Sequence, residues 1–79
     1  MRVRVRLFAN LRQYLPGMDD PSGMEVELAA GATLGDLIRQ LKLPEQQVRV
    51  TFVNGRDRPE DWRLQPDDEI GIFPPIGGG

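Results

Sequence analysis

The residues best suited to chemistry are the glycines at the C-terminal end, Gly77 to Gly79, which follow Pro75 and Ile76. Glycine loses more backbone entropy on ordering than any other residue, so such a run does not stabilise a fold. Because it lacks Cβ atoms, the run could instead thread a narrow channel and present the Gly79 carboxylate to another protein's active site. The residues beyond Pro75 span about 13 Å when extended, which is enough to enter a pocket. An unstructured stub is the alternative interpretation.

A C-terminal glycine carboxylate has a defined chemistry, because it is unhindered and can be activated by adenylation. A sulfur donor then converts the acyl-adenylate to a thiocarboxylate, whereas an amine converts it to an amide. The chain contains no cysteine and no histidine, so the commonest nucleophile, general base and transition-metal ligands are missing. Any sulfur that the protein carries would therefore be bound to the Gly79 carboxyl carbon and not to a side chain.

Length and charge limit the remaining function classes. The 79 residues suffice for one small domain, without a catalytic cleft between domains. The 10 basic and 12 acidic residues are mixed along the chain and give a net charge of −2, so nucleic acid is not expected as a partner. No stretch approaches the roughly 20 apolar residues that span a bilayer, and the N-terminus lacks the apolar core of a leader. We expect a cytoplasmic protein that does not bind membranes.

Hydrophobic periodicity predicts four strands and two helices that would hold this tail in place. In chain order they are a strand over 1–8, a short helix over 9–15, a strand over 24–28, the main helix over about 34–42, a strand over 48–53 and a strand over 69–73. The third of these strands is an alternation of Val48, Val50 and Phe52 with Arg49, Thr51 and Val53. Thr33 and Asp36 come close to a capping box for the main helix. We therefore predict an α+β fold, in which a mixed sheet packs its apolar face against one main helix.

A row of arginines in the first strand has two interpretations. Arg2, Arg4 and Arg6 alternate with apolar residues, which is a pattern that nucleic-acid-binding strands also show. Glu25 and Glu27 alternate in the same way on the strand predicted to pair with it. Cross-strand ion pairs are the favoured interpretation.

Three further features have structural explanations. Trp62 ends an irregular stretch of residues 56–62, and its side chain is predicted to fill a position in the core. Asn54–Gly55 is typical of a turn, and we assign it no other role. The acidic clusters at 19–20 and 67–69 lie at predicted turns, where aspartate is favoured for backbone reasons, and neither has the spacing of a metal loop. We predict no metal site.

The segment 68–79, Asp-Glu-Ile-Gly-Ile-Phe-Pro-Pro-Ile-Gly-Gly-Gly, resembles the C-terminal signature of the MoaD/ThiS sulfur carriers, especially the small subunit of molybdopterin synthase. The segment 5–12 and the turn at 53–55 are similar to the same family, so the resemblance covers nearly the whole chain. Two features depart from it: Gly77 stands where Ala, Ser or Thr is more usual, and Pro66-Asp67-Asp68 replaces a common Asp-Gly-Asp turn. The length from Pro75 to the end is unchanged.

The resemblance implies a ubiquitin-like β-grasp domain over residues 1–75, with the first and last strands as parallel neighbours at the centre, and a flexible glycine tail over 76–79. In this fold Phe8 and Phe73 would lie on the outward face of their strands, at the same end of both. Together with Val53 and the spacer Pro74-Pro75 they would form an exposed apolar patch for partner docking. The alternative is that the two rings fold back over the sheet rim as a satellite core.

The resemblance also implies a function. An E1-like adenylyltransferase would activate Gly79 with ATP, and a sulfur donor protein would supply the sulfur of the thiocarboxylate. Ile76, Gly77 and Gly78 would thread into a large synthase subunit, which uses the sulfur in molybdopterin biosynthesis for molybdenum or tungsten cofactors. The protein would then be a carrier subunit and not an enzyme, with no cofactor or metal of its own. Two alternatives remain: a ubiquitin-like modifier joined to lysines through Gly79, and a β-grasp interaction module that makes no chemical use of its tail.

Overall fold

The computed structural model describes residues 1–14 and 23–75. Their elements are strand β1 (Arg2–Leu7), a 3-10 helix (Ala9–Tyr14), β2 (Met24–Glu27), helix α1 (Leu34–Gln40), a 3-10 turn (Glu45–Gln47), β3 (Val50–Val53), β4 (Arg56–Asp57) and β5 (Glu69–Phe73). All four predicted strands and the main helix are therefore present; β5 has the predicted bounds, and the other elements are slightly shorter than predicted. The predicted short helix is a 3-10 helix, and Ala9 enters it in the left-handed region at φ 54°. No helix in this part of the chain is long and apolar enough to cross a membrane.

The strands form one mixed sheet in the order β2-β1-β5-β3-β4. β1 and β5 are parallel neighbours at its centre, and each of the other pairs is antiparallel. This is the ubiquitin-like β-grasp topology that the family resemblance implied, and the α+β class is confirmed.

The core lies between one face of the sheet and α1. Alternate residues of β1 and β5 point into it, as the period-two patterns predicted, and they meet the apolar stripe of α1. Its most deeply buried members include Val3, Val5, Leu7, Leu11, Leu34, Leu37, Ile38, Leu64, Ile70 and Ile72. The tail-bearing strand β5 is therefore held on a rigid support.

Strand β3 has apolar residues on both faces, and Val50 and Phe52 lie on its outer face. Thr51 and Val53 are its buried residues, at 6% and 4% exposure, whereas Phe52 is half-buried on the opposite face. The Thr51 hydroxyl can be buried because it donates to the carbonyl oxygen of Arg58 at 2.9 Å. Val53 is therefore a core residue, which corrects its assignment to the exposed patch.

The Asn54–Gly55 turn does more than reverse the chain. Both residues have positive φ, at 52° and 85°, and they connect β3 to the short strand β4, which the sequence pattern did not predict. The Asn54 side chain also donates to Asp68 Oδ1 at 2.9 Å and accepts the Glu69 backbone N–H at 3.0 Å. The predicted turn is confirmed, and the Asn54 side chain in addition joins the hairpin to the start of β5.

The acidic turn before β5 serves the fold. Asp68 is 8% exposed, and its second carboxylate oxygen accepts the backbone N–H of Gln65 at 2.8 Å. Among the described residues, no group of acidic side chains could hold a metal ion.

Trp62 does not plug the core. It is 37% exposed, and the Arg58 guanidinium carbon lies 4.0 Å from the centre of its ring. Leu64, at 2% exposure, takes the core position instead. The prediction for Trp62 was wrong because a large apolar residue in an irregular segment carries no periodicity to fix its direction.

Helix α1 begins with the predicted capping box. The Thr33 hydroxyl accepts the Asp36 backbone N–H at 3.2 Å, and the Asp36 carboxylate accepts the Thr33 N–H at 3.0 Å. That backbone hydrogen bond, together with a side-chain bond from Arg39, lowers the pKa of Asp36. The N-terminal end of α1 is therefore fixed by local hydrogen bonds.

We expect Thr33→Ala to lower the free energy of unfolding by about 1 kcal/mol, because it leaves an N-terminal backbone donor of α1 without its partner.

Stability should also depend on pH, since the pKa of Asp36 is lower in the folded chain. The stabilising effect of the Asp36 carboxylate is complete above the unfolded-state pKa and is lost as the pH falls through the folded-state value. Urea unfolding at several pH values measures both effects. Thr33→Ser, which keeps the hydroxyl, should match the parent, and an Asp36→Asn variant with unaltered acid sensitivity would contradict the assignment.

Candidate partner-docking surface and tail root

Three phenylalanines gather on the outer face of the sheet, at the end where the tail begins. Phe8 and Phe73 stack with their ring centres 4.1 Å apart and their planes 4° apart. Phe52 meets Phe73 edge to face, with ring centres 5.5 Å apart. We call Phe8, Phe52 and Phe73 the aromatic cluster. Their contacts follow from the register, in which Leu7 pairs with Ile72 and Val50 with Phe73.

Gly71 forms the floor of this cluster. It pairs with Arg6 on one side and Phe52 on the other. A Cβ atom at this position would lie 3.3 Å from a ring carbon of Phe8 and 3.6 Å from one of Phe73. The missing side chain therefore lets the two rings lie close to the central strand.

The cluster is neither a satellite core nor a fully exposed patch. All three rings are half-buried and border an open cavity of about 350 Å³ on the outer face. Arg6 and Glu69 bring opposite charges to its rim, and the Arg6 guanidinium carbon lies 5.4 Å from the centre of the Phe8 ring. An apolar hollow with a charged rim is the usual anatomy of a protein-binding site.

The segment 73–75, which we call the tail root, is fixed by the last hydrogen bond of β5. The Arg49 backbone N–H donates to the carbonyl oxygen of Phe73 at 2.9 Å. Pro74 is half-buried and Pro75 exposed, and neither has an N–H that could continue the ladder. The tail residues Ile76, Gly77, Gly78 and Gly79 lie outside the described residues. Their starting point is therefore set directly beside the aromatic cluster.

The other end of the same sheet face carries ion pairs. Arg2 bonds Glu27 at 3.0 Å and lies 3.5 Å from Glu25, and Arg4 lies 3.8 Å from Glu25. The hydrogen bond that Arg2 donates to Glu27, followed by the charges of both glutamates, raises the pKa of Arg2. The cross-strand interpretation is confirmed for Arg2 and Arg4, whereas Arg6 turns to the aromatic cluster.

Of the residues predicted for docking, Phe8, Phe73, Pro74 and Pro75 occupy one end of the outer face, and Val53 does not. Phe52 was missed. Its signal was present in the sequence, because it is an aromatic residue adjacent to Val53 in a strand whose two faces are both partly apolar. Only the pairing with β5 decides which of the two faces outward.

A sequence profile of the ThiS family matches residues 5–79, a range that includes the aromatic cluster and the glycine tail. The chain belongs to the ThiS family. No curated protein sequence matches this ThiS-family chain at a significant level.

Solved structures agree with the family assignment. The putative molybdopterin converting factor subunit 1 from Pyrococcus furiosus is 33% identical, with a TM-score of 0.75 over 96% of this chain and 99% of that one. Small archaeal modifier protein 1 from Haloferax volcanii has a TM-score of 0.75 at 20% identity, over 95% and 98%. A third match is a chain from the complex of subunits 1 and 2 of the molybdopterin-converting factor from Helicobacter pylori. It has a TM-score of 0.63 at 21% identity, over 100% of both chains. The last two likenesses show a common fold alone. The family match and the 33% identical structure identify this protein as a small ThiS/MoaD-type chain with the fold of a sulfur carrier.

Proposed function

We propose that this protein carries sulfur as a thiocarboxylate on Gly79 and donates it in molybdopterin biosynthesis for molybdenum or tungsten cofactors. The observation that carries the assignment is the family match through residue 79. The pathway is favoured by the likeness to the Pyrococcus furiosus protein, a putative molybdopterin converting factor subunit. Residues 1–75 serve as the docking domain and residues 76–79 as the reactive tail.

The carrier's chemistry takes two steps, both on its carboxylate. An oxygen of the Gly79 carboxylate attacks the α-phosphorus of ATP on an E1-like adenylyltransferase, and pyrophosphate leaves. A hydrosulfide equivalent from a sulfur donor protein then attacks the acyl carbon, and AMP departs with the original oxygen. The protein binds no cofactor itself, because ATP is held by the activating enzyme. With no cysteine in the chain, the carboxyl carbon is the only place for the sulfur.

The aromatic cluster and the tail root form the docking surface. The half-buried rings offer an apolar contact on a rigid sheet, at a point from which residues 76–79 reach about 13 Å. The E1-like enzyme and a large synthase subunit are the proposed partners for this surface. The Helicobacter pylori complex of subunits 1 and 2 supports a partnership of the second kind. The protein acts in the cytoplasm as a carrier subunit, and catalysis belongs to its partners.

Intact mass spectrometry tests this function. The chain is incubated with a cognate E1-like enzyme, ATP and a sulfur donor, and we expect its mass to rise by the difference between sulfur and oxygen. A reaction without ATP should leave the mass unchanged. An enzyme that releases pyrophosphate with this chain and yet forms no sulfur adduct would overturn the carrier role.

A ubiquitin-like modifier is the second candidate, favoured by the shared fold with small archaeal modifier protein 1. A modifier uses the same adenylation, but a lysine amine displaces AMP and an amide forms. Denaturing gels separate the two functions. Gly79-dependent ladders of conjugates would support the modifier, and thiocarboxylate without conjugates would support the carrier.

A further inference from the structure

A second surface, centred on Trp62, lies apart from the aromatic cluster. It borders an open cavity of about 300 Å³. The side chains that matter here are Trp62, Arg56, Arg58 and Gln65, and we call this set the Trp62 surface. No lining residue is shared with the cavity at the aromatic cluster. A partner at one surface therefore does not need the side chains of the other.

Trp62 is the only tryptophan of the chain and remains 37% exposed. Its ring is held by the Arg58 guanidinium at 4.0 Å, so the two side chains restrict each other's motion. A pre-ordered arginine on an aromatic ring loses little entropy when it binds a carboxylate. Exposed tryptophan and arginine are also the residues most often found at the energetic centre of protein interfaces.

The accessible charges that line this cavity have one sign, and the exposed carboxylates of Asp57, Glu60 and Asp61 lie outside the lining. Arg56 and Arg58 both line the cavity, whereas the one acidic lining residue, Asp68, is buried. Both Asp68 carboxylate oxygens already accept hydrogen bonds, from Asn54 and Gln65. The two guanidinium groups are therefore the accessible charges of the cavity lining, in a chain whose net charge is −2.

We propose that the Trp62 surface binds an acidic segment of a partner protein. Carboxylates of that segment pair with Arg56 and Arg58, and an adjacent apolar side chain lies on the exposed part of the Trp62 ring. The chain's net charge of −2 gives no general attraction to a polyanion. Binding of this kind therefore depends on the local charges of this surface. The surface extends the protein's contacts beyond the docking site used by the tail.

Nuclear magnetic resonance with a synthetic peptide tests the proposal directly. The probe is a glutamate-rich peptide containing one leucine, added to the isotope-labelled full chain, with the lysine counterpart as control. We expect a saturable shift of the single indole N–H resonance and of amides between 54 and 65, weakened by salt. Arg56→Gln and Arg58→Gln should each weaken binding by up to about fivefold. Arg49→Gln, an equal change of charge on an exposed arginine, should leave it unaltered.

We expect the variants to keep the fold, because Arg56 pairs with Val53 in the sheet and the bonds between Thr51 and Arg58 use the backbone of Arg58. Three results would overturn the proposal: no indole shift at millimolar acidic peptide, equal affinity in the Arg56→Gln/Arg58→Gln double variant, or binding of the lysine peptide instead. An indole shift that depends on protein concentration without any peptide would assign the surface to a second copy and also overturn it.

Discussion

Deletion of Gly78 and Gly79 is expected to abolish thiocarboxylate formation and to leave the free energy of unfolding unchanged. The truncation moves the carboxylate back by about 7 Å along an extended chain, and a misplacement of even 1 Å can lower a rate about a hundredfold. The sheet and core described above are built from residues 1–14 and 23–75, so the domain should fold as before. Adenylation is measured as pyrophosphate release, and the product as the mass of the chain.

Gly77→Ala is the matched control for this deletion. It adds a methyl group but keeps the distance from Pro75 to Gly79, and the MoaD/ThiS resemblance already allows alanine there. We expect it to retain most of the parent's activity. A truncated chain that still supports cofactor synthesis would contradict the carrier and modifier roles together, and it would favour an interaction module with no tail chemistry.

The second large effect is expected from the aromatic cluster. Phe73 contacts both other rings, so Phe73→Ala removes the centre of the proposed docking surface. We expect the dissociation constant for the E1-like enzyme to rise about thirtyfold, which corresponds to about 2 kcal/mol for a residue at an interface centre. Phe8→Ala removes only the stacked ring and should have a smaller effect in the same direction. Isothermal titration calorimetry or surface plasmon resonance measures both dissociation constants.

The kinetic form of this defect distinguishes it from the loss of the tail. A docking variant should recover activity when the partner is present in excess, because its carboxylate still reaches the active site. The truncated chain should not recover at any concentration. Tyr14→Ala is the control, because Tyr14 is an exposed aromatic residue, at 39%, outside the cluster. If Phe73→Ala binds as tightly as Tyr14→Ala while both remain folded, the aromatic cluster is not the docking surface.

Local patterns predicted the elements of this fold but not their arrangement. The period of two in β1 and β5 follows from alternating side chains on a strand, and the Thr33–Asp36 capping box follows from backbone donors at a helix start. Neither pattern encodes which strands pair, so the parallel contact of β1 with β5 came from the family resemblance. β4, with two residues, is too short to have a period.

The site was predicted in part for the same reason. Phe8 and Phe73 occupy the outward phase of strands with clear alternation, and the structure brings them together. In β3, apolar residues occupy both faces, so the choice between Val53 and Phe52 depends on pairing with Gly71. The direction of Trp62 depends on its contact with Arg58, which no spacing in the sequence encodes.

The most direct test of the carrier role is a fragment mass spectrum of the chain after reaction with its E1-like enzyme, ATP and a sulfur donor. The sulfur-for-oxygen mass difference should appear in C-terminal fragments that contain Gly79 and in no fragment from residues 1–75. A chain that is adenylated but whose Gly79 fragment retains both oxygens, or whose Gly79 is found in an amide bond to a lysine, would contradict thiocarboxylate transfer.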